Sequence, residues 1–235
     1  MIWADTSYGD RILILPSLLA ADFGRLADGA KAAEAAGADA LHIDIMDGHF
    51  VPNLSLGPDV VRMARRTVRI PLSIHLMMTN PGAYLERFIE AGADIVLIHI
   101  EVDGDIAGML RRIRELGARP GITLNPATAA ERVFDCLPLV DEVLCMTVNP
   151  GYGGQAFMAE VLPKIALLRA QMLARGLTAA ISVDGGIDLT TAPRAVAAGA
   201  NALIVGTALY RLADMTAGVM ALRRTAQAAF PRRPA

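Results

Sequence analysis

The sequence predicts an α/β fold, a single (β/α)8 TIM barrel, from three features. Short β-rich apolar runs alternate with alanine-, leucine- and charge-rich stretches of helical period, as repeated βα units around a parallel sheet do. The alternation repeats eight times. Polar side chains gather at the ends of those runs, and the C-terminal ends of barrel strands are where this fold places its chemistry.

The eight strand candidates are Ile12 to Ser17, Ala40 to Ile45, Leu72 to Leu76, Asp94 to Ile98, Ala118 to Thr123, Glu142 to Thr147, Ala179 to Val183 and Ala202 to Val205. A helical stretch is expected after each. Three strands share their punctuation: Ala36-Gly37-Ala38-Asp39, Ala91-Gly92-Ala93-Asp94 and Ala198-Gly199-Ala200-Asn201. These glycines read as helix C-caps, because glycine takes the left-handed conformation that ends a helix just before the next strand begins. A doubly wound open sheet shares the alternation, and the count of eight with the placement of polar residues favours the barrel.

A length of 235 residues suits one barrel domain, since such barrels run to about 250 residues. No linker or low-complexity tract divides the chain, so the expectation is one domain over 1–235 with short tails at about 1–11 and 229–235. The hydrophobic fraction of 54% and mean hydropathy of +0.41 fit a parallel sheet covered on both faces. Apolar runs such as Ile95 to Ile98 stop far short of the roughly 20 residues of a membrane span. The region around Met1-Ile2-Trp3, with Asp5, Asp10 and Arg11, lacks the basic and apolar regions of a secretory signal. A cytoplasmic protein is expected. A net charge of −2 from 22 basic and 24 acidic residues argues against a nucleic-acid partner. Cys136 and Cys145 form neither a CxxC pair nor a disulfide framework and are assigned no chemistry.

His42-Ile43-Asp44 sits late in the second strand, where the i, i+2 spacing puts imidazole and carboxylate on one face. His75 ends the third strand and Asp184 the seventh. Two imidazoles and two carboxylates then converge at one mouth, a set that suits one divalent metal ion such as Zn2+, Fe2+, Mn2+ or Co2+. His99 and Glu101 after the fourth strand, and His49 after the second, are read as supporting or surface residues. Glycine-rich loops follow the last three strands: Asn149-Pro150-Gly151-Tyr152-Gly153-Gly154-Gln155, Gly185-Gly186 and Gly206-Thr207. Glycine lets backbone N–H groups approach a phosphate, and neighbouring loops at this end of a barrel form a phosphate site. The expected partner is a phosphorylated small molecule.

With these residues in hand, the chain resembles ribulose-phosphate 3-epimerases from Pro16-Ser17-Leu18-Leu19-Ala20-Ala21-Asp22-Phe23 to Val205-Gly206-Thr207. The most specific segments are His42 to Asn53, His75-Leu76-Met77, Met146 to Gln155 and Val183-Asp184-Gly185-Gly186. The resemblance implies that His42, Asp44, His75 and Asp184 are metal ligands and that Asp44 and Asp184 are also the acid/base pair. It implies substrate contacts from Ser17, His75, Asp184, Gly151, Tyr152, Gly153, Gly154, Gly185, Gly186, Gly206 and Thr207. Thr207 stands where serine is common in the family, and threonine keeps the hydroxyl and the backbone donor. The implied reaction is inversion at C3 of a 2-ketose phosphate, D-ribulose 5-phosphate to D-xylulose 5-phosphate, without NAD or flavin, in the pentose phosphate pathway. Met46, Met77 and Met146 match methionines that line the reacting centre in the family, and core packing is the competing reading. One alternative is a 3-epimerase of a six-carbon ketose phosphate such as allulose 6-phosphate. Another is a catalytically silent sugar-phosphate binding protein, which intact Asp44 and Asp184 argue against. The sequence leaves a homo-oligomer open.

Overall fold

Parallel strands need a crossover between them, and the helical segments between the apolar runs supply it. The computed structural model describes residues 11–230. The strands are β1 (Leu13–Pro16), β2 (Leu41–Met46), β3 (Leu72–Met77), β4 (Ile95–His99), β5 (Arg119–Leu124), β6 (Glu142–Met146), β7 (Ala180–Asp184) and β8 (Ala202–Val205). Every boundary falls within one residue of the sequence expectation. The strands form one parallel sheet in the order β1-β8-β7-β6-β5-β4-β3-β2. A parallel bridge between Ser17 and His42 sets β1 beside β2 and brings the sheet to near closure.

Because strand side chains alternate, the barrel has two apolar layers. Ile14, Ile43, Ile74, Ile98 and Val143 face outward to the helices. Leu13, Leu15, Leu97, Leu144 and Ile204 fill the interior. The helices are α1 (Leu26–Ala35), α2 (Pro58–Thr67), α3 (Leu85–Glu90), α4 (Ile106–Glu115), α5 (Leu162–Ala174), α6 (Ala192–Ala197), α7 (Thr207–Tyr210) and α8 (Met215–Ala228). Local chemistry starts several of them: Asp105 caps α4 through Gly108 N, Asp214 caps α8 through Ala217 N, and Pro58 opens α2. One expected helix is missing. After β5 the chain makes two 3-10 turns, Ala130–Val133 and Leu137–Leu139, because Pro138 has no N–H to continue a helix through Cys136 and Leu137.

The Ala-Gly-Ala repeat has a second purpose. Gly37, Gly92 and Gly199 all have positive φ, as a C-cap requires. The next-but-one residue then clips the bottom of the barrel in both directions. Asp39 N donates to Ile14 O (2.9 Å) while Asp39 Oδ2 accepts from Ile14 N (2.8 Å). Asp94 repeats the exchange with Leu72 (3.0 and 2.8 Å), and Asn201 with Ile181 (2.9 and 2.8 Å). An arginine backs each clip: Arg223 on Asp39, Arg65 on Asp94 and Arg169 on Asn201.

The tails expected at about 1–11 and 229–235 lie outside the described residues except at their inner ends. There Arg11 pairs with buried Asp39 and Phe230 packs on the core. No helix among the described residues is long and apolar enough to cross a membrane. Cys136 and Cys145 are buried free thiols, and burial pushes Cys145 up to about 12, which suits their lack of assigned chemistry.

The clip yields a prediction. Asp39→Ala leaves the buried Ile14 N–H without its acceptor and takes the carboxylate from Arg223, which keeps Gly37 O, so unfolding free energy should fall by about 3 kcal/mol. Urea denaturation checks it, and a loss below about 0.5 kcal/mol, within the range of an ordinary surface substitution, would show that the clip is dispensable.

Candidate active site

Period-two geometry aims His42, Asp44 and Met46 of β2, and Ser73, His75 and Met77 of β3, into the barrel. The register sets Asp44 beside His75, Met46 beside Met77, and Met146 of β6 beside Asp184 of β7. β2 and β7 are separated by β1 and β8, so Asp44 and Asp184 face each other across the mouth.

Asp44 is the centre of this cluster. Its Oδ2 accepts from the Ser17 hydroxyl at 2.7 Å. Its Oδ1 lies 3.3 Å from His42 Nε2 and 3.1 Å from His75 Nδ1. Donor atoms of His42, Asp44, His75 and Asp184 all lie within 4.8 Å of one another. His42 Nδ1 is 3.3 Å from Ser73 Oγ, while its Nε2 is buried without a hydrogen-bond partner. A buried orphan nitrogen beside a carboxylate is a donor waiting for a cation, so the residues present fit a metal ion.

The electrostatics agree. Burial raises Asp44, but the His42 and His75 rings more than offset it and hold the carboxyl well below its usual range. Burial lowers His42, yet Asp44 and Asp184 leave it raised overall. Burial and the Asp44 charge push Asp184 up to about 7. Two carboxylates pushed apart in this way, around a point that favours positive charge, mark a functional site.

Ser17, Asp44, Met46, Met77, Met146 and Asp184 line one side of a cavity of about 550 Å³. Gly151, Tyr152, Gly153, Gly154, Gly185, Gly186, Gly206 and Thr207 line the other. Asn53 Nδ2 donates to Gly151 O at 2.7 Å, and the exposed Tyr152 donates its hydroxyl to Pro52 O at 2.9 Å. These contacts tie the β6 loop to the β2 loop across the mouth. Gly186 has positive φ, and a Cβ there would meet Phe157 N at 2.5 Å. Only glycine fits.

The four candidate metal ligands are brought together, and of them only Asp44 and Asp184 line the cavity, while His42 and His75 lie fully buried behind it. His75 keeps its place in the cluster of possible ligands, but it does not reach the cavity in which a substrate contact was expected of it. Its Nδ1 faces Asp44, while its Nε2 faces His99 Nε2 at 2.8 Å, and His99 Nδ1 faces Glu101 at 2.9 Å. His49 is exposed and folds back on Asp47 O.

The family follows from direct comparison. Residues 13–210 match the Ribulose-phosphate 3 epimerase family. The chain belongs to that family. A ribulose-phosphate 3-epimerase of Mycobacterium tuberculosis is 46% identical over 217 residues, covering 92% of this chain and 94% of the relative. Those of Synechocystis and Bacillus subtilis are 42% and 43% identical, covering 91% and 90% of this chain and 94% and 98% of the relatives. Solved structures with the same fold include orotidine 5'-phosphate decarboxylase from Pyrococcus horikoshii (TM-score 0.66, 16% identity, 92% of this chain and 99% of that one). Tryptophan synthase of Mycobacterium tuberculosis is another (TM-score 0.64, 16% identity, 97% and 95%). At such identity the likeness concerns the fold alone.

Two polar residues were not read from the sequence, one lining the cavity of this epimerase-family site and one buried inside the barrel. Arg211 lines the cavity beside Thr207. Its signal was the i, i+4 spacing from Thr207, which returns a side chain to the same side after one turn. Glu142, noted only as a strand start, points into the barrel, where Ser182 Oγ donates to its Oε1 at 2.6 Å and Oε2 has no partner. Burial pushes its carboxyl up to about 7.

A folded-state value above the unfolded one means that the native protein holds a proton the unfolded chain has released. The stability contributed by that proton is therefore lost as pH rises from about 4.5 through about 7. The loss is on the order of 3 kcal/mol. Glu142→Gln should remove that slope, so metal-free variant and wild type should diverge between pH 5 and pH 8 with the variant gaining. A difference in unfolding free energy that does not change with pH would refute it.

Proposed function

We propose that the chain is a metal-dependent ribulose-phosphate 3-epimerase, an isomerase that interconverts D-ribulose 5-phosphate and D-xylulose 5-phosphate. The observation that carries this reading is the pairing of Asp44 and Asp184 across one mouth, with ligand atoms converging on one point. The curated relatives named above favour the pentose phosphate over a six-carbon ketose phosphate.

His42, Asp44, His75 and Asp184 would hold the ion. When bound there, a divalent cation of the Zn2+, Fe2+, Mn2+ or Co2+ type would supply Lewis acidity that acidifies the C3 proton next to the carbonyl. The proton itself moves on this chain's carboxylates. One aspartate takes it from one face of C3 and the other returns a proton to the opposite face, and the roles exchange in the reverse direction. Two groups on opposite sides are needed because a single base would restore the starting configuration. Ser17 orients Asp44 through its 2.7 Å hydrogen bond. Met46, Met77 and Met146 wall the reacting end with apolar surface, which keeps bulk water from the carbanionic carbon.

The phosphate occupies the glycine-lined end, among Gly151, Tyr152, Gly153, Gly154, Gly185, Gly186, Gly206 and Thr207. Arg211, exposed at that end, adds a cation to backbone donors that carry none.

The test of the reading is turnover of D-ribulose 5-phosphate in D2O, followed as xylulose 5-phosphate formed with deuterium at C3. Asp184→Asn, with metal content measured alongside, should lower epimerisation by about 10²- to 10⁴-fold. A variant that keeps its metal and near-normal turnover in both directions would end the two-carboxylate mechanism. Arg211→Ala should raise KM about tenfold with kcat nearly unchanged, because a contact to the unreacting phosphate is made equally in ground and transition states. An unaltered KM would remove Arg211 from the phosphate site.

A further inference from the structure

Behind His75 stands a chain of polar groups that the acid/base and phosphate roles leave unused. His75 Nε2 meets His99 Nε2 at 2.8 Å, and His99 Nδ1 meets Glu101 Oε2 at 2.9 Å. The other carboxylate oxygen, Glu101 Oε1, accepts from Asn125 N–H at 2.8 Å and from the Thr128 hydroxyl. Lys164 secures that loop by donating to Asn125 O and Pro126 O at 2.7 and 2.8 Å. Both rings are fully buried, and they stack with centroids 5.0 Å apart.

The hydrogen-bond logic runs in one direction. A carboxylate gripped by two donors at Oε1 accepts at Oε2 as well, so the proton on that contact belongs to His99 Nδ1. A neutral His99 then offers only a lone pair at Nε2. The 2.8 Å contact between the two Nε2 atoms needs one proton, and it must come from His75. His75 Nδ1 is left with its lone pair 3.1 Å from Asp44 Oδ1. Two acceptors facing each other at that distance are reconciled by a cation between them.

We propose that His99 and Glu101 are positioning residues that fix His75 in the Nε2–H tautomer and thereby present Nδ1 to the metal ion. The inference rests on the metal reading given above and extends it to two residues that touch neither metal nor substrate.

The grip on Oε1 makes the idea testable by an isosteric change. In Glu101→Gln, Asn125 and Thr128 still require an acceptor, so the amide oxygen stays with them and the NH2 group turns toward His99. That reverses the chain: His99 accepts at Nδ1 and donates from Nε2, and His75 is driven to carry its proton on Nδ1, where the metal should bind. A merely structural hydrogen bond would survive this substitution.

The experiment is titration of metal-free wild type, Glu101→Gln and His99→Phe with Co2+ in competition with a chelator, read as affinity and as the visible spectrum of bound Co2+. Thermal unfolding of each metal-free protein reports folding. Glu101→Gln and His99→Phe should each bind Co2+ at least about tenfold more weakly, with an altered spectrum and near-wild-type unfolding of the metal-free form. A folded Glu101→Gln that binds Co2+ as wild type does, with the same spectrum, overturns the proposal. If that variant does not fold, His99→Phe decides by the same criterion. If neither folds, Thr128→Val decides, since it loosens the grip on Glu101 without touching the rings and should lower affinity in the same direction. Wild type that binds no Co2+ overturns the metal reading together with this one, whereas bound wild type with unaffected variants overturns this one alone.

Discussion

A carboxylate buried at the mouth of the barrel, Asp44, is the constraint on which the rest of the site depends. An isolated ionised carboxylate taken out of water is prohibitively costly. Asp44 is tolerated because Ser17 donates to one oxygen and two imidazoles crowd the other. The same contacts join strands. Ser17 and His42 form a bridge between β1 and β2, the seam of the barrel, and Ser17 then reaches Asp44 from that bridge. Closure of the sheet and construction of the site are therefore one event, and a change at the seam should be felt by the chemistry.

The interior is graded along its axis. At the bottom, backbone exchanges with Asp39, Asp94 and Asn201 hold strand ends in register. Leu13, Leu97 and Leu144 fill the middle. At the top, His42, Asp44, His75 and Asp184 replace aliphatic side chains at the positions that period-two alternation points inward. Glu142 interrupts this order, since it is a buried acid hydrogen-bonded to Ser182 with one oxygen unpaired. A rigid apolar middle lets the top carry destabilising polar groups, because the strands that present them are packed on both faces.

The structural relatives show how little the fold says about chemistry. A decarboxylase and a tryptophan synthase share this barrel at 16% identity, so function cannot be read from architecture. What places this chain in its family is the 42–46% identity to ribulose-phosphate 3-epimerases.

The sequence by itself determined the strands, the glycine caps and the four converging residues. Those features follow from local rules: alternation within a strand, glycine where φ is positive, and unusual polarity at strand ends. The absence of a helix after β5 is also locally encoded, in Pro138, although the regularity of the other units predicts a helix there. The tertiary structure decided the rest. Nothing in the spacing of His75, His99 and Glu101 says that two imidazoles from adjacent strands share one proton, because that depends on the stagger between β3 and β4. Nor does it say that Asp39, Asp94 and Asn201 grip a neighbouring strand, or that Arg211 returns to the cavity beside Thr207. Local pattern chooses which face a side chain takes, whereas its partner is chosen by strand register and barrel closure, which bring together residues far apart along the chain.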